Sequence, residues 1–155
     1  MLTVKHLKGS SSQPLPKRPS GIKRYMPAML MASLLGTYLD LYFTGKGMYA
    51  FPTRPFSDIF TINILFTLAV LPIFMTFILR IIESLKGWFR GMIVLAISVA
   101  MAAAEKMAES IGMFVHAENW HHLYTFIGYC LFIGLIAAFH GWMNGNHFKK
   151  PISTE

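Results

Sequence analysis

Four long apolar blocks, at about residues 25–44, 59–82, 89–115 and 120–142, leave this chain few folds to choose from. Each is long enough for a helix to cross a bilayer, which takes about 20 residues. In hydrocarbon only helices and closed barrels satisfy their own backbone, and blocks this long and unbroken suit helices. The composition agrees: 54% of residues are hydrophobic and 14% charged, against roughly 25% charged in an average soluble domain. The sequence therefore predicts an all-α integral membrane four-helix bundle filling residues 25–143. A flexible basic tail over 1–24 precedes it, and a short tail over 144–155 follows.

The placement of Lys and Arg predicts the orientation. With the N-terminus inside, the cytoplasmic side collects six in the first tail, then Arg80, Lys86, Arg90, Lys149 and Lys150. The outer side holds Lys46 and Arg54, and Lys106 stays within a span. An even number of spans fits this bias, so both termini should be cytoplasmic. The net charge of +7 is thus a topology signal; the basic residues form no aromatic-lined face for nucleic acid.

Pro27 suits an opening helical turn, whereas Pro72, near the middle of the second block, should kink it. The connection "GKGMYAFPTRPFSD" breaks helix and offers Tyr49, Phe51 and Phe56 to an interface. Cys130 is the only cysteine, so no intrachain disulfide and no thiolate cluster can form.

Within the blocks the polar residues keep to one side. At about 100° per residue, Ser98, Glu105, Glu109, Gly112 and His116 fall within a narrow stripe, flanked by Ala96, Ala100, Ala104 and Ala108 at every fourth position. Such a small-residue seam permits close helix approach, and the third helix is expected to be polar and central. On the first helix Asp40 shares a face with Ser33, Gly36, Thr37 and Thr44. Asn63 and Thr67 lie one turn apart on the second, and His122, Thr125 and Tyr129 share a side of the fourth. Asp40 and Glu105 each sit roughly 20 Å from the inner end of their helix, with Lys106 placed to bridge Asp40 or Glu109. The expectation is a buried polar network opening outward. It serves either to hold helix register or as a proton or ion site, with Asp40, Asn63, Glu105, Lys106, Glu109, His116 and His122 as candidates.

"ENWHH" supplies Glu118, His121 and His122, and Glu-x-x-His sets a carboxylate and an imidazole on one helical face. These are weak metal candidates, since a zinc site would need His116 or Glu109 to complete it. The competing reading is a helix start, with Asn119 or Glu118 as cap and Trp120 as interfacial anchor. His122 and His140 share a face of the fourth block, but the cytoplasmic half of the other helices has no histidine to pair at haem-ligand depth; no cofactor is expected. "NGNH" at 144–147 reads as a helix stop. No nucleophile–base pair, phosphate loop or dinucleotide fingerprint is present, so no enzymatic activity is indicated.

The stretches "GTYLDLYFTGKGMYAFPTRPF", "INILFTLAVLPIF" and "EKMAESIGMFVHAENWHHLYTFIGY" together resemble a family of small multi-span membrane proteins, found mainly in spore-forming Gram-positive bacteria. The resemblance covers about residues 30–143. It implies a bacterial inner-membrane protein and marks Asp40, Lys46, Arg54, Glu105, Glu109, His116, Trp120 and His122 as positions to test, without implying a reaction or substrate. The functional expectation is an accessory or assembly component of the cell envelope, with lipid and a second membrane protein or copy as partners. A small proton- or ion-coupled transporter or channel using buried acidic residues is the alternative, and a metal-binding protein with its site at the outer mouth the weaker one.

Overall fold

The computed structural model describes residues 21–118 and 120–145. Most of the expected basic tail, the last ten residues and the cap candidate Asn119 lie outside the described residues. A short 3-10 turn, Gly21–Arg24, leads into α1, Met26–Gly45, with Pro27 in its opening turn as expected. A π-helical turn, Phe66–Val70, runs directly into α2, Leu71–Ser84. Then come α3, Phe89–Ser110, and α4, His122–Met143. The segments Phe66–Ser84, Phe89–Ser110 and His122–Met143 are long and apolar enough to cross a membrane.

α1, α3 and α4 end alike. The residue two past each helix is a glycine with positive φ: Gly47 at 67°, Gly112 at 73° and Gly145 at 67°. In α1, Gly47 N–H reaches the Thr44 carbonyl and Met48 N–H that of Phe43, both at 3.0 Å. In α3, Gly112 N–H reaches Glu109 at 3.0 Å and Met113 N–H reaches Ala108 at 2.9 Å. These paired bonds satisfy the last carbonyls, and the left-handed residue suits glycine because it has no Cβ. Each of the first two turns then launches a two-residue strand. β1, Tyr49–Ala50, and β2, Val115–His116, pair antiparallel, with Tyr49 opposite His116 and Ala50 opposite Val115. The third block thus stops being helical at Ser110 rather than near 115.

The second block departs further from expectation, because residues 59–63 are turns and bends and helix begins at Ile64. Asn63 lies before the helix and caps it, its Oδ1 accepting Phe66 N–H at 3.2 Å. The expected kink at Pro72 takes the form of the wide turn ahead of it. Leu71 N–H bonds back five residues to Phe66, so the Thr67 carbonyl would look to residue 72, and a proline has no N–H to give. The buried Ser33 hydroxyl of α1 donates to that carbonyl at 2.9 Å. A neighbouring helix thereby satisfies the backbone group that the proline leaves open. Gly36 eases the close approach here, since a Cβ at that position would push the tip of the Leu71 side chain aside.

The core forms between α1, α2 and α4. Tyr25, Ala28 and Ala32 meet Leu71, Met75, Ile78, Leu79 and Ile82, with Ile133 and Ile136 closing the third side. α3 is not central, contrary to expectation. It packs mainly on α4 and more briefly on α2, and Ser98 is its only buried residue. The physical reason lies in pairing: Ala28, Ala32, Ser33 and Gly36 of α1 already give the bulky Leu71, Met75, Ile78 and Leu79 of α2 a small-residue face to pack against, which leaves α3 to one side on α4.

Ser33→Ala should lower stability by about 1–3 kcal/mol, the cost of leaving a buried carbonyl unpaired, measured by unfolding in detergent. In a Pro72→Ala background, where residue 72 regains an N–H, the same change should cost less; equal costs in both backgrounds would contradict the assignment.

Candidate functional site

The two short strands bring the ends of α1 and α3 together, and the polar residues aligned on those helices meet beneath them. Asp40 Oδ1 accepts the Tyr49 hydroxyl at 2.7 Å. Opposite Tyr49 on the paired strand, His116 sits above the last turns of α3. Its Nδ1 is 3.4 Å from Glu109 Oε1 and its Nε2 is 3.8 Å from Glu105 Oε1, while its backbone N–H reaches Glu109 Oε1 at 3.3 Å. Asp40 and Glu105 lie close enough to share a field with the phenols of Tyr49 and Tyr129. The sequence-predicted layer of Asp40, Glu105, Glu109 and His116 is therefore assembled.

Aromatic rings wall it. His116 stacks on Trp120, with centroids 5.0 Å apart and an interplanar angle of 17°. Phe114 meets the imidazole edge-on at 4.6 Å. Tyr49 contacts Phe43, Phe51, Phe114 and Trp120. Trp120 Nε1 donates to the buried Thr125 hydroxyl at 2.9 Å. Tyr49, Phe51 and Trp120 are thus box walls as well as end-of-block aromatics, which spacing alone does not disclose.

Burial leaves the His116 side chain 4% exposed and pushes its imidazole below the ordinary value, with the Glu109 carboxylate opposing the shift. Burial likewise raises the Tyr49 phenol, and the Asp40 carboxylate adds to this, so the hydroxyl remains a donor. Neither ring nitrogen of His116 has a hydrogen-bond partner among the described residues.

The remaining candidates fall elsewhere. Lys106 is exposed and no ion pair among the described residues includes it; a position about 100° round from Glu105 takes it off the polar stripe. Asn63 caps α2 and stays out of the layer. Glu118 and His121 are exposed, and the residue preceding α4, His121, makes no side-chain cap bond. The potential ligand group is different from the one expected: Glu109, His116 and His122 each offer an atom within 4.8 Å of the others. Lys46 lies 6.0 Å over the Tyr42 ring. Arg54 is occupied by the carbonyls of Phe51, Ser57 and Phe60 and organises its own loop. A recess of about 470 Å³ lies against Arg54, Asn63, Phe66 and Met113, and no carboxylate or imidazole lines it.

At the opposite end a second polar cluster centres on Glu83, a residue that periodicity did not single out. Tyr25 donates to its Oε2 at 2.6 Å, Arg24 pairs with its Oε1, and His140 Nε2 lies 2.9 Å from the same oxygen. Asn144 donates to His140 Nδ1 at 3.2 Å and to the Arg24 carbonyl at 3.3 Å, which puts the imidazole proton on Nε2, facing Glu83. Tyr25 and His140 stack with centroids 4.9 Å apart. This clasp joins the ends of α1, α2 and α4. One signal in the sequence points to it: an acid in the last turn of a helix opposes the helix dipole and calls for cations nearby.

Comparison with models of known protein families, with characterised proteins and with solved structures finds no match for this chain.

Glu83→Ala should lower stability by about 2 kcal/mol, the hydrogen bonds from Tyr25 and His140 carrying most of it because the Arg24 side chain is 35% exposed. Thermal unfolding in detergent checks this against the exposed control Glu118→Ala. Equal loss in the two variants would remove the clasp from the account.

Proposed function

We propose that this protein is a four-span integral protein of the bacterial cell membrane, both termini cytoplasmic, acting as a non-enzymatic assembly or accessory component through the exposed face of α3. Three helices with the length and apolarity of spans support the membrane reading. α1 adds a fourth, its 20 residues covering about 30 Å. Large apolar side chains face outward on every helix, among them Leu34, Ile73, Leu95 and Leu131, as a lipid-facing surface requires. The Lys and Arg bias puts the Glu83 clasp on the cytoplasmic side and the paired strands outside.

The observation that carries the accessory role is the position of α3. Its ridge of Ala96, Ala100 and Ala104 is exposed, although such ridges serve close helix packing and gain little from lipid. A second copy of the same ridge is the complementary surface that this chain itself supplies. The ion-coupled alternative, with Asp40, Glu105 and Glu109 titrating, finds its acids at the outer end. Inward of them a void bounded by Leu71, Met75, Ile78, Tyr129 and Ile133 measures about 10 Å³, at the lower limit for a single water. That counts against a pathway.

In a Cys130→Ala background, Ala100→Cys should crosslink to itself in native membranes, whereas Leu131→Cys on the outer face of α4 should stay monomeric. Equal crosslinking at both positions, or none at Ala100→Cys, would overturn self-association through α3; a stoichiometric adduct of another mass would assign the face to a different membrane protein.

A further inference from the structure

His116 presents an unusual combination. Its side chain is almost fully buried, its ring is clamped between Trp120 and Phe114, and both nitrogens lack a hydrogen-bond partner among the described residues. A buried imidazole normally satisfies at least one nitrogen. Here each nitrogen faces a carboxylate without hydrogen-bond geometry: Glu109 Oε1 lies 3.4 Å from Nδ1 and Glu105 Oε1 lies 3.8 Å from Nε2.

A separation of 3.4 Å has another meaning. Two ligands bonded at about 2.0–2.2 Å to a tetrahedral ion lie about 3.3–3.6 Å apart. Glu109 Oε1 and His116 Nδ1 already stand at that spacing. His122 brings a third ligand atom within 4.8 Å of the others, from an exposed position in the first turn of α4 where rotation of the side chain shortens the gap. Its ring centroid is 5.8 Å from that of His116. The other nitrogen of His116 faces Glu105, and a metal-bound histidine commonly donates its second N–H to a carboxylate, which fixes the ring and strengthens the ligand.

We infer that Glu109, His116 and His122 form a binding site for one first-row divalent cation of the zinc class, with Glu105 orienting His116 from its far nitrogen. Two imidazoles and one carboxylate suit such an ion and are a poor set for calcium or magnesium, which prefer oxygen donors throughout. Three protein ligands would leave a fourth position for water or another ligand. The inference is independent of α3 self-association, since it uses the polar stripe of that helix and the seam is a different face.

The test uses the full chain in detergent, stripped with a chelator and titrated with zinc against a chromophoric competitor, with bound metal counted after gel filtration. One zinc per chain is expected. His122→Ala, an exposed substitution that leaves the core untouched, and Glu109→Ala should each weaken binding at least about tenfold. Glu105→Gln should weaken it about tenfold to a hundredfold while stoichiometry stays at one. His121→Ala should bind like the parent protein. No retained zinc in the parent protein, unchanged affinity in both His122→Ala and Glu109→Ala, or loss of binding in His121→Ala would overturn the site.

Discussion

The pairing of Tyr49–Ala50 with Val115–His116 joins two parts of the chain that do not otherwise pack along their lengths. α1 lies on α2 and α4, while α3 lies on α4 and part of α2. The strand pair therefore sets where the end of α3 stands relative to the end of α1. Its register places Tyr49 against His116; a slip of one residue would turn both side chains to the other face. The Asp40–Tyr49 hydrogen bond, the His116 ring between its aromatic neighbours, and the approach of Glu105 and Glu109 all follow from that register. Two glycine-terminated helix ends make it possible by turning the chain in the same way twice.

The remaining architecture answers a different demand, that a chain this apolar satisfy its polar groups internally. At one end Glu83 gathers Arg24, Tyr25 and His140. In the middle Ser33 supplies the donor that Pro72 lacks. In both places a group on one element completes a bond that another element leaves open, which fixes helix order as well as contributing stability. The completeness is not general, since Thr37 Oγ1 and Ser98 Oγ within the helices also lack a partner among the described residues, and it gives way most at the strand end. There the buried oxygen Glu105 Oε2 and both nitrogens of His116 have no partner among the described residues.

Much of this was legible in the sequence. The four apolar blocks became four helices, with boundaries displaced by several residues where Gly112 and the bends before Ile64 end or delay helix. The alignment of Glu105, Glu109 and His116 survived the passage from helix to strand because residue 116 stays above the turn that carries Glu109. What failed depended on partners distant in the chain. Glu83 pairs with residues 57, 58 and 59 positions away, and no local period reveals that. The strand pair is two residues long, too short for alternation to register. Polarity and a small-residue seam predict a central α3, whereas α1, with Ala28, Ala32, Ser33 and Gly36, supplies the small-residue face on which α2 packs. Lys106 looked like a bridging cation from its depth, but its angle on the helix puts it at the surface.

The central claim is the register between the two strands, and a disulfide reads it most directly. In a Cys130→Ala background, Ala50→Cys and Val115→Cys are cross-strand partners with both side chains exposed, within the reach of a disulfide. Mild oxidation in the membrane should produce a fast-migrating intramolecular species nearly quantitatively, and Ala50→Cys with Ala117→Cys should produce little. Failure of the first pair to close, or equal closure of the second, would contradict the account.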